Sequence, residues 1–230
     1  MNSFFLSIAL ICCGGFAALF LWRQFLIMKV ATVSVISIGC AIGLFDALAK
    51  LLHPGSYAAS FDYLNLFSLS FHMDGLSAFF LIAIYAVCLL AAIYSFHYMD
   101  NPDKTLRSAV NYLFFSLLII SMALVVTAAN MITFMLAWEI MSLSSFFLVI
   151  YDYESEENRK AGYLYFVFSH VGATFILVSF GVLYGYSGSF LFSSGSTIPD
   201  SAKLLVLILS FIGFGSKAGV FPFHVWLPHA

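Results

Sequence analysis

The sequence predicts an all-α membrane protein with about seven transmembrane helices, and three observations lead to this prediction. Of the 230 residues, 63% are hydrophobic and 9% are charged. A soluble domain carries about 25% charged residues. Several apolar stretches are long enough to cross a hydrocarbon core of about 30 Å. Backbone groups in lipid must bond within the protein, and the short alternating segments typical of a β-barrel do not dominate.

The predicted spans follow one another with only short polar segments between them. No separate soluble domain is therefore expected. The mixed charges of residues 152–160 indicate a solvated loop at the membrane interface. The spans cover residues 3–22, 27–52, 74–98, 108–128, 131–151, 161–187 and 203–219.

The longest predicted loop, residues 53–73, separates the second and third spans. Pro54 and Gly55 are expected to end the second helix, because proline removes a backbone donor and glycine loosens the chain. Residues 61–71 mix aromatic, leucine and serine side chains with some alternation, which favours a short hairpin on the outer surface. Asp74 then precedes the third helix and is suited to cap its N-terminus.

Basic residues are concentrated in alternate loops. Residues 23–29, 99–107 and 152–160 hold six Lys and Arg side chains, whereas the intervening loops have only Lys50 and Lys203 at their edges. The positive-inside rule therefore places the N-terminus outside and the C-terminus in the cytoplasm, in the cell inner membrane. Membrane lipid is the expected surrounding. The net charge of −2 and the absence of a basic stripe give no reason to expect nucleic acid as a partner.

Four cysteines lie within predicted spans, but their spacing does not match a metal site. No Cys-x-x-Cys or Cys/His pattern occurs, so neither zinc nor an iron–sulfur cluster is supported in this chain. Buried cysteine usually packs as a small apolar side chain. The four are Cys12, Cys13, Cys40 and Cys88.

Two charged side chains lie inside otherwise apolar spans: Glu139 in the fifth and Lys217 in the seventh. A charge near the bilayer centre costs about 2.5–3.5 kcal/mol on insertion scales. The pair can be a static ion pair that orients two helices, or an acid and a base that move protons, and we favour proton movement. The estimated depths of the two residues allow a direct salt bridge or a water-mediated link.

The seventh helix is expected to be interrupted just after Lys217. Three glycines surround this lysine and Pro222 follows five residues later, a combination that weakens helical hydrogen bonding. Transporters place broken helices beside their ion sites. A routine proline kink is the alternative. A short second segment bearing His224 and Trp226 is predicted after the break.

Two histidines are candidate proton carriers, because histidine titrates close to neutral pH. His170 lies within the sixth span, where it can equally be a hydrogen-bonded packing residue. His224 lies near the predicted break and can either feed protons inward or sit at the interface. Asp46 and Lys50 are four residues apart on the second helix, a spacing that predicts a structural ion pair.

Three segments resemble the antiporter-like membrane subunits shared by respiratory complex I, Mrp-type cation/proton antiporters and membrane-bound hydrogenases. The resemblance runs from about residue 70 onward, and the serine-rich part of the second segment makes it strongest to the hydrogenase branch, of formate hydrogenlyase and hydrogenase-4 type. The segments are FHMDGLSAFF, AWEIMSLSSFFLVIYDYESEENRKAGYLYFVFSHVGATFIL and GFGSKAGVFPFHVWLPHA.

The resemblance implies roles for particular residues. In that family, the acid of the fifth helix and the lysine of the broken seventh helix form the core of a proton channel. Glu139 and Lys217 stand at the matching positions in AWE and GSKAG, and His170 in SHVGA is a weaker correspondence. Because the sequence stops before the family's eighth helix, we expect the N-terminal half of an antiporter-like fold, truncated after the seventh helix. Residues 1–107 would hold three N-terminal helices and residues 108–230 a partial proton-translocating repeat.

The resemblance also implies a function. We expect a non-catalytic, proton-translocating membrane subunit of a multi-subunit redox complex, of hydrogenase, formate hydrogenlyase or NADH-quinone oxidoreductase type. No cofactor is expected in this chain, and the partner subunits would carry a nickel–iron site and iron–sulfur clusters. A subunit of an Mrp-type sodium/proton antiporter is one alternative. A truncated structural anchor that holds partner subunits is another.

Overall fold

A computed structural model describes residues 1–53, 55, 57–63, 67–100, 102–193 and 198–229. In this part of the chain, long helices dominate and one hairpin interrupts them, which confirms the predicted fold class. The helix stop predicted at Pro54 lies outside the described residues. The elements are α1 (Asn2–Phe20), α2 (Phe25–Leu52), β1 (Tyr57–Tyr63), β2 (Phe67–Met73), α3 (Gly75–Tyr98), α4 (Thr105–Thr127), α5 (Met131–Val149), α6 (Glu156–Ser187) and α7 (Asp200–Ala218).

The seven helices α1 to α7 are each long and apolar enough to cross a membrane. The chain is therefore a multi-span membrane protein, and the observed helices match the predicted spans to within a few residues. Short 3₁₀ helices cover Pro102–Lys104, before α4, and Phe223–His229, after α7. We call Phe223–His229 the terminal segment.

The chain forms two compact units. The first comprises Met1–Phe61 and Ser70–Thr127, and the second comprises Asp62–Leu69 and Ala128–Ala230. The division predicted at residue 107 follows the family's repeat rather than compactness, and it remains a prediction.

The first unit is held together by close helix contacts at glycine. A Cβ atom at Gly39 of α2 would lie 2.6 Å from Ile11 of α1. The hydroxyl of Ser7 donates a hydrogen bond of 2.8 Å to the Gly39 carbonyl. Small residues and interhelical hydrogen bonds of this kind stabilise helix pairs in lipid, where the hydrophobic effect between helices is weak. The buried core is drawn from all four helices and includes Phe4, Ile11, Ile36, Cys40, Leu81, Tyr85 and Ile119.

The predicted hairpin is present and is longer than expected. Strands β1 and β2 pair in a two-stranded sheet. The ring of Phe5 on α1 packs edge-on against Phe61 and Phe71, at centroid distances of 5.5 and 5.8 Å. The Asp74 carboxylate accepts a 2.8 Å hydrogen bond from the backbone N–H of Ser77, which confirms the predicted N-cap of α3.

The second unit contains α5, α6, α7 and the terminal segment. Helices α6 and α7 approach most closely where Gly172 faces Gly213, because a Cβ on either residue would lie 2.9 Å from the carbonyl oxygen of the other. Nearer the other end of this pair, the hydroxyls of Ser179 and Ser210 lie 2.8 Å apart. Asn130 caps the N-terminus of α5, because its side chain accepts a 2.7 Å hydrogen bond from the backbone N–H of Thr133.

Replacing Gly172 with Ala should destabilise the second unit, because the added methyl would push α6 away from α7. Overpacking of this kind costs about 1–3 kcal/mol. The matched control is Gly181→Ala on the same helix, where an added Cβ meets no atom within 4 Å. Thermal unfolding in detergent should give a lower Tm for Gly172→Ala than for Gly181→Ala. Equal Tm values would mean that the contact is not tight.

Asp74 should make the stability of the first unit depend on pH. The Ser77 N–H holds the pKa of this carboxyl below its ordinary value. A lowered pKa means that the charged cap stabilises the fold above the unfolded pKa of about 3.9. This stabilisation is lost as the pH falls through the folded pKa. Asp74→Asn keeps the acceptor but cannot titrate. The Tm advantage of the native protein over this variant should therefore shrink below about pH 4. A difference that is constant with pH would contradict this prediction.

Candidate functional site

Helix α7 ends one residue after Lys217, as predicted. Gly219 follows with φ of +70°, in the left-handed region that side chains other than glycine rarely adopt. The backbone N–H of Val220 donates a 2.9 Å hydrogen bond to the carbonyl of Gly215. The Phe221–Pro222 peptide bond is cis. The break thus leaves Lys217 in the last turn of a helix rather than in its middle.

The ammonium of Lys217 is surrounded by hydroxyl groups and an aromatic ring. It lies 3.4 Å from the Ser142 hydroxyl on α5, and it contacts the Tyr165 hydroxyl on α6. It also lies 4.7 Å from the centroid of the Tyr165 ring. Ser142 and Tyr165 are buried, whereas Lys217 is half-buried. Hydroxyl oxygens accept hydrogen bonds from the ammonium.

The terminal segment returns to this site through Trp226. The Trp226 ring packs edge-on against Tyr165, at a centroid distance of 5.1 Å. Its indole N–H donates a 2.9 Å hydrogen bond to the carbonyl of Ser216. Trp226 therefore packs against Tyr165, which contacts Lys217. It also provides a hydrogen-bond donor for the Ser216 carbonyl beside the break.

Glu139 on α5 is paired with His170 on α6. The carboxylate Oε2 lies 3.7 Å from His170 Nε2. The other ring nitrogen, Nδ1, lies 3.0 Å from the Phe166 carbonyl, which can only accept a hydrogen bond. A ring with its hydrogen on Nδ1 would donate to this carbonyl, and a further proton on Nε2 would give an imidazolium facing the carboxylate. About a third of each side chain is exposed, 35% for His170 and 37% for Glu139.

The two charges singled out in the sequence are not in direct contact. Among the described residues, no ion pair joins Glu139 to Lys217, so the direct salt bridge that the sequence left open is absent. Ser142 connects their surroundings instead. It follows Glu139 by three residues, about 4.5 Å along the helix axis, and it contacts Lys217. One face of α5 therefore meets His170 at Glu139 and Lys217 at Ser142.

His224 lies apart from this arrangement. Its side chain is exposed on the terminal segment, and its ring lies 5.6 Å from that of Phe221. Three of the four candidate residues thus lie in two neighbouring contacts on α5, Glu139 with His170 and Ser142 with Lys217, and His224 lies in neither. In the part of the chain that the structure describes, no group of three or more His, Cys, Asp and Glu side chains could hold a metal ion.

The sequence reasoning missed Ser142, Tyr165 and Trp226 as parts of the site. Ser142 had a usable signal, because its spacing of three residues from Glu139 puts both on one helix face. Tyr165 and Trp226 had none. A chain with 12 tyrosines and 27 phenylalanines offers many aromatic residues at helical spacing, so a single ring that contacts a lysine does not stand out.

Two sequence families match this chain. Residues 128–230 match the family described as NADH:quinone oxidoreductase/Mrp antiporter, TM. Residues 61–108 match the family described as NADH-Ubiquinone oxidoreductase (complex I), chain 5 N-terminus. The first match contains Glu139, His170 and Lys217.

Individual relatives agree with these matches. Hydrogenase-4 component B of Escherichia coli (strain K12) is 34% identical over 200 residues, which cover 84% of this chain and 29% of that protein. NADH-quinone oxidoreductase subunit L of Buchnera aphidicola is 32% identical over 165 residues, covering 69% of this chain and 26% of that protein. The chain therefore spans less than a third of the length of either relative.

A solved structure shares the fold over nearly the whole chain. A subunit of the membrane-bound sulfane sulfur reductase, an archaeal respiratory membrane complex, superimposes with a TM-score of 0.78 and 28% sequence identity. The match covers 97% of this chain and 35% of that one. Together with the family matches, this similarity shows that the chain belongs to the family of antiporter-like membrane subunits found in NADH:quinone oxidoreductases, Mrp antiporters and membrane-bound hydrogenases.

Proposed function

We propose that this chain is part of a proton-conducting membrane subunit of a multi-subunit redox complex, in which it couples electron transfer in partner subunits to proton movement. The observation that carries the proposal is a pair of neighbouring contacts that share helix α5: Glu139 with His170 and, three residues further along, Ser142 with Lys217, which also contacts Tyr165. The names of the relatives support it, since they are a hydrogenase-4 component and an NADH-quinone oxidoreductase subunit.

Lys217 is the proposed proton carrier. Glu139 controls it because the Glu139 carboxylate can be neutralised by His170 or can attract the Lys217 ammonium. When His170 is protonated at Nε2, its imidazolium neutralises the Glu139 carboxylate, and Lys217 keeps only its hydroxyl and aromatic partners. When His170 is neutral, the carboxylate charge is free to attract the Lys217 ammonium along the same face of α5. A proton arriving at His170 therefore changes the electrostatic field at Lys217, and this change is the proposed coupling step.

The access and orientation of the site are also part of the proposal. The basic loops support an orientation in which the N-terminus is outside and the C-terminus is cytoplasmic, in the cell inner membrane. In that orientation, exposed His224 on the terminal segment exchanges protons with cytoplasmic water. Other membrane subunits and redox subunits are the proposed partners, and the nickel–iron site and iron–sulfur clusters belong to those partners.

An Mrp-type sodium/proton antiporter subunit is the second candidate, because the matching family description includes Mrp antiporters. The two candidates differ in what drives the proton. Vesicles without redox partners should show sodium-dependent proton exchange only for the antiporter. A purely structural anchor would show no proton flux even with the native sequence, and alanine at Glu139 or Lys217 would then alter assembly alone.

Lys217→Met should abolish coupled proton translocation in the assembled complex, because methionine keeps most of the length of the side chain and removes its charge. Electron transfer and membrane insertion should remain. Lys203→Met is the matched control on the same helix, since Lys203 is half exposed and pairs with Asp200 at 2.9 Å. Proton uptake is followed with a pH-sensitive dye in proteoliposomes. Unchanged uptake with Lys217→Met would refute the proposal.

Ser142→Ala should slow translocation without abolishing it. A hydrogen bond to a charged group contributes about 1.5–3 kcal/mol, so a loss of roughly tenfold in rate is expected. Ser145→Ala on the same helix is the control, because the Ser145 hydroxyl donates to the Met141 carbonyl of its own helix and, among the described residues, does not contact Lys217. The same vesicle measurement applies. Equal rates for the two variants would exclude Ser142 from the path.

A further inference from the structure

The contact between Lys217 and Tyr165 differs in kind from an ion pair. The ammonium on α7 meets the Tyr165 hydroxyl on α6, and it lies 4.7 Å from the centroid of the Tyr165 ring. Tyr165 is only 3% exposed. In the described part of the chain, the hydrogen-bond partners of this ammonium are two neutral hydroxyls, those of Ser142 and Tyr165. Ser142 lies 3.4 Å away, so Tyr165 makes the closer of the two contacts.

A hydroxyl can be the hydrogen-bond partner of a lysine in both of its charge states. The oxygen of a phenol accepts a hydrogen bond from an ammonium, and its O–H donates to the lone pair of a neutral amine. An ionised carboxylate can only accept, and its charge favours the protonated lysine. A lysine that must both take up and release a proton is therefore better served by a hydroxyl than by a permanent carboxylate partner.

The position of the Tyr165 hydroxyl is set from the terminal segment. Trp226 is 9% exposed, and its ring packs edge-on against Tyr165 at a centroid distance of 5.1 Å. Its indole N–H donates a 2.9 Å hydrogen bond to the carbonyl of Ser216, the residue before Lys217. One side chain therefore contacts both the helix that carries the hydroxyl and the helix that carries the ammonium.

We propose that Tyr165 is the hydrogen-bond partner that allows Lys217 to give up its proton, and that Trp226 is the residue that positions Tyr165. This inference rests on the proposed function, in which Lys217 carries protons. When Lys217 is charged, one of its N–H groups donates to the Tyr165 oxygen. On release, one N–H bond of the ammonium breaks, the proton bonds to a water oxygen, and the nitrogen keeps the electron pair. The Tyr165 O–H then donates to that pair, so the hydrogen bond persists with its direction reversed.

Tyr165→Phe tests the hydroxyl, because phenylalanine keeps a ring against Trp226. Proton translocation by the assembled complex in proteoliposomes should fall about tenfold, as expected for the loss of a hydrogen bond to a charged group. Tyr163→Phe is the matched control, because Tyr163 lies on the same helix and is 67% exposed. Equal rates for the two variants would overturn the proposal.

Infrared difference spectroscopy tests the reversal of the hydrogen bond and does not require translocation. The C–O stretching band of a tyrosine shifts when its hydroxyl changes from acceptor to donor. In nanodiscs with isotope-labelled tyrosine, a pH step that changes the charge of Lys217 should shift one tyrosine band. The shift should be absent from Tyr165→Phe and from Lys217→Met. Glu139, His170 and His224 are the other titratable groups considered for this region, and a shift that persisted in Lys217→Met would come from them and overturn the proposal.

Variants at Trp226 test the positioning role. Trp226→Leu should abolish the tyrosine shift, because no ring then packs against Tyr165. Trp226→Phe retains an aromatic ring and should keep the shift. Loss of the shift in both variants, or its retention in both, would exclude the ring contact as the one that positions Tyr165. If Trp226→Leu does not assemble, loss of the shift in Trp226→Phe alone is enough to overturn this role.

The failure of this inference can be told apart from the failure of the proposed function. If Lys217→Met left translocation unchanged, the proposed function would fail, and the infrared shift would still show whether Tyr165 and Lys217 reverse their hydrogen bond. If Lys217→Met abolished translocation and Tyr165→Phe left it unchanged, only the role of Tyr165 would be refuted.

Discussion

The close approach of α6 and α7 is the contact on which the described site depends. Gly172 and Gly213 let the two backbones meet with no side chain between them, and this contact sets the distance from Lys217 to the residues of α6. With bulkier residues at these glycines, Tyr165 would move out of reach of the ammonium. In water, burial of apolar surface holds helices together. In lipid this driving force is weak because lipid chains are as apolar as the helices, so close packing at small residues stabilises the helix pair instead. The position of a charged group is thus determined by two residues that carry no functional group.

The break after α7 is a second consequence of the bilayer as solvent. Within hydrocarbon, the carbonyls freed at a helix end must find partners in the protein. Trp226 donates to one of these, the Ser216 carbonyl, and its ring supports Tyr165 at the same time. The terminal segment is therefore both the cap of a broken helix and a wall of the lysine site. A change in the conformation of this segment would alter the Trp226–Tyr165 contact and, through Tyr165, the surroundings of Lys217.

Most of the fold could be predicted from the sequence, and the partners within the site could not. Hydropathy locates the helices because the cost of burying polar groups in lipid is large and depends mainly on local composition. The break near Lys217 was predictable for a similar reason, since glycine and proline act on the backbone where they occur. The pairing of Glu139 with His170 depends on the rotation and tilt of two helices, which periodicity does not fix. The ion pair expected between Asp46 and Lys50 is not formed between these two described residues, and the Lys50 ammonium lies 3.9 Å from the ring centroid of Tyr57 on β1 instead.

The glycine that ends α7 has an electrostatic consequence beyond its effect on chain direction. Peptide dipoles add along a helix and give its C-terminal end a partial negative charge of about half an electron. Because Gly219 stops the helix two residues after Lys217, the ammonium lies in the last turn, inside that negative field. In an unbroken helix the same lysine would lie where the field is nearly zero. The backbone itself thus attracts the cation, so an ammonium can be held at this end of α7 without a permanent carboxylate partner.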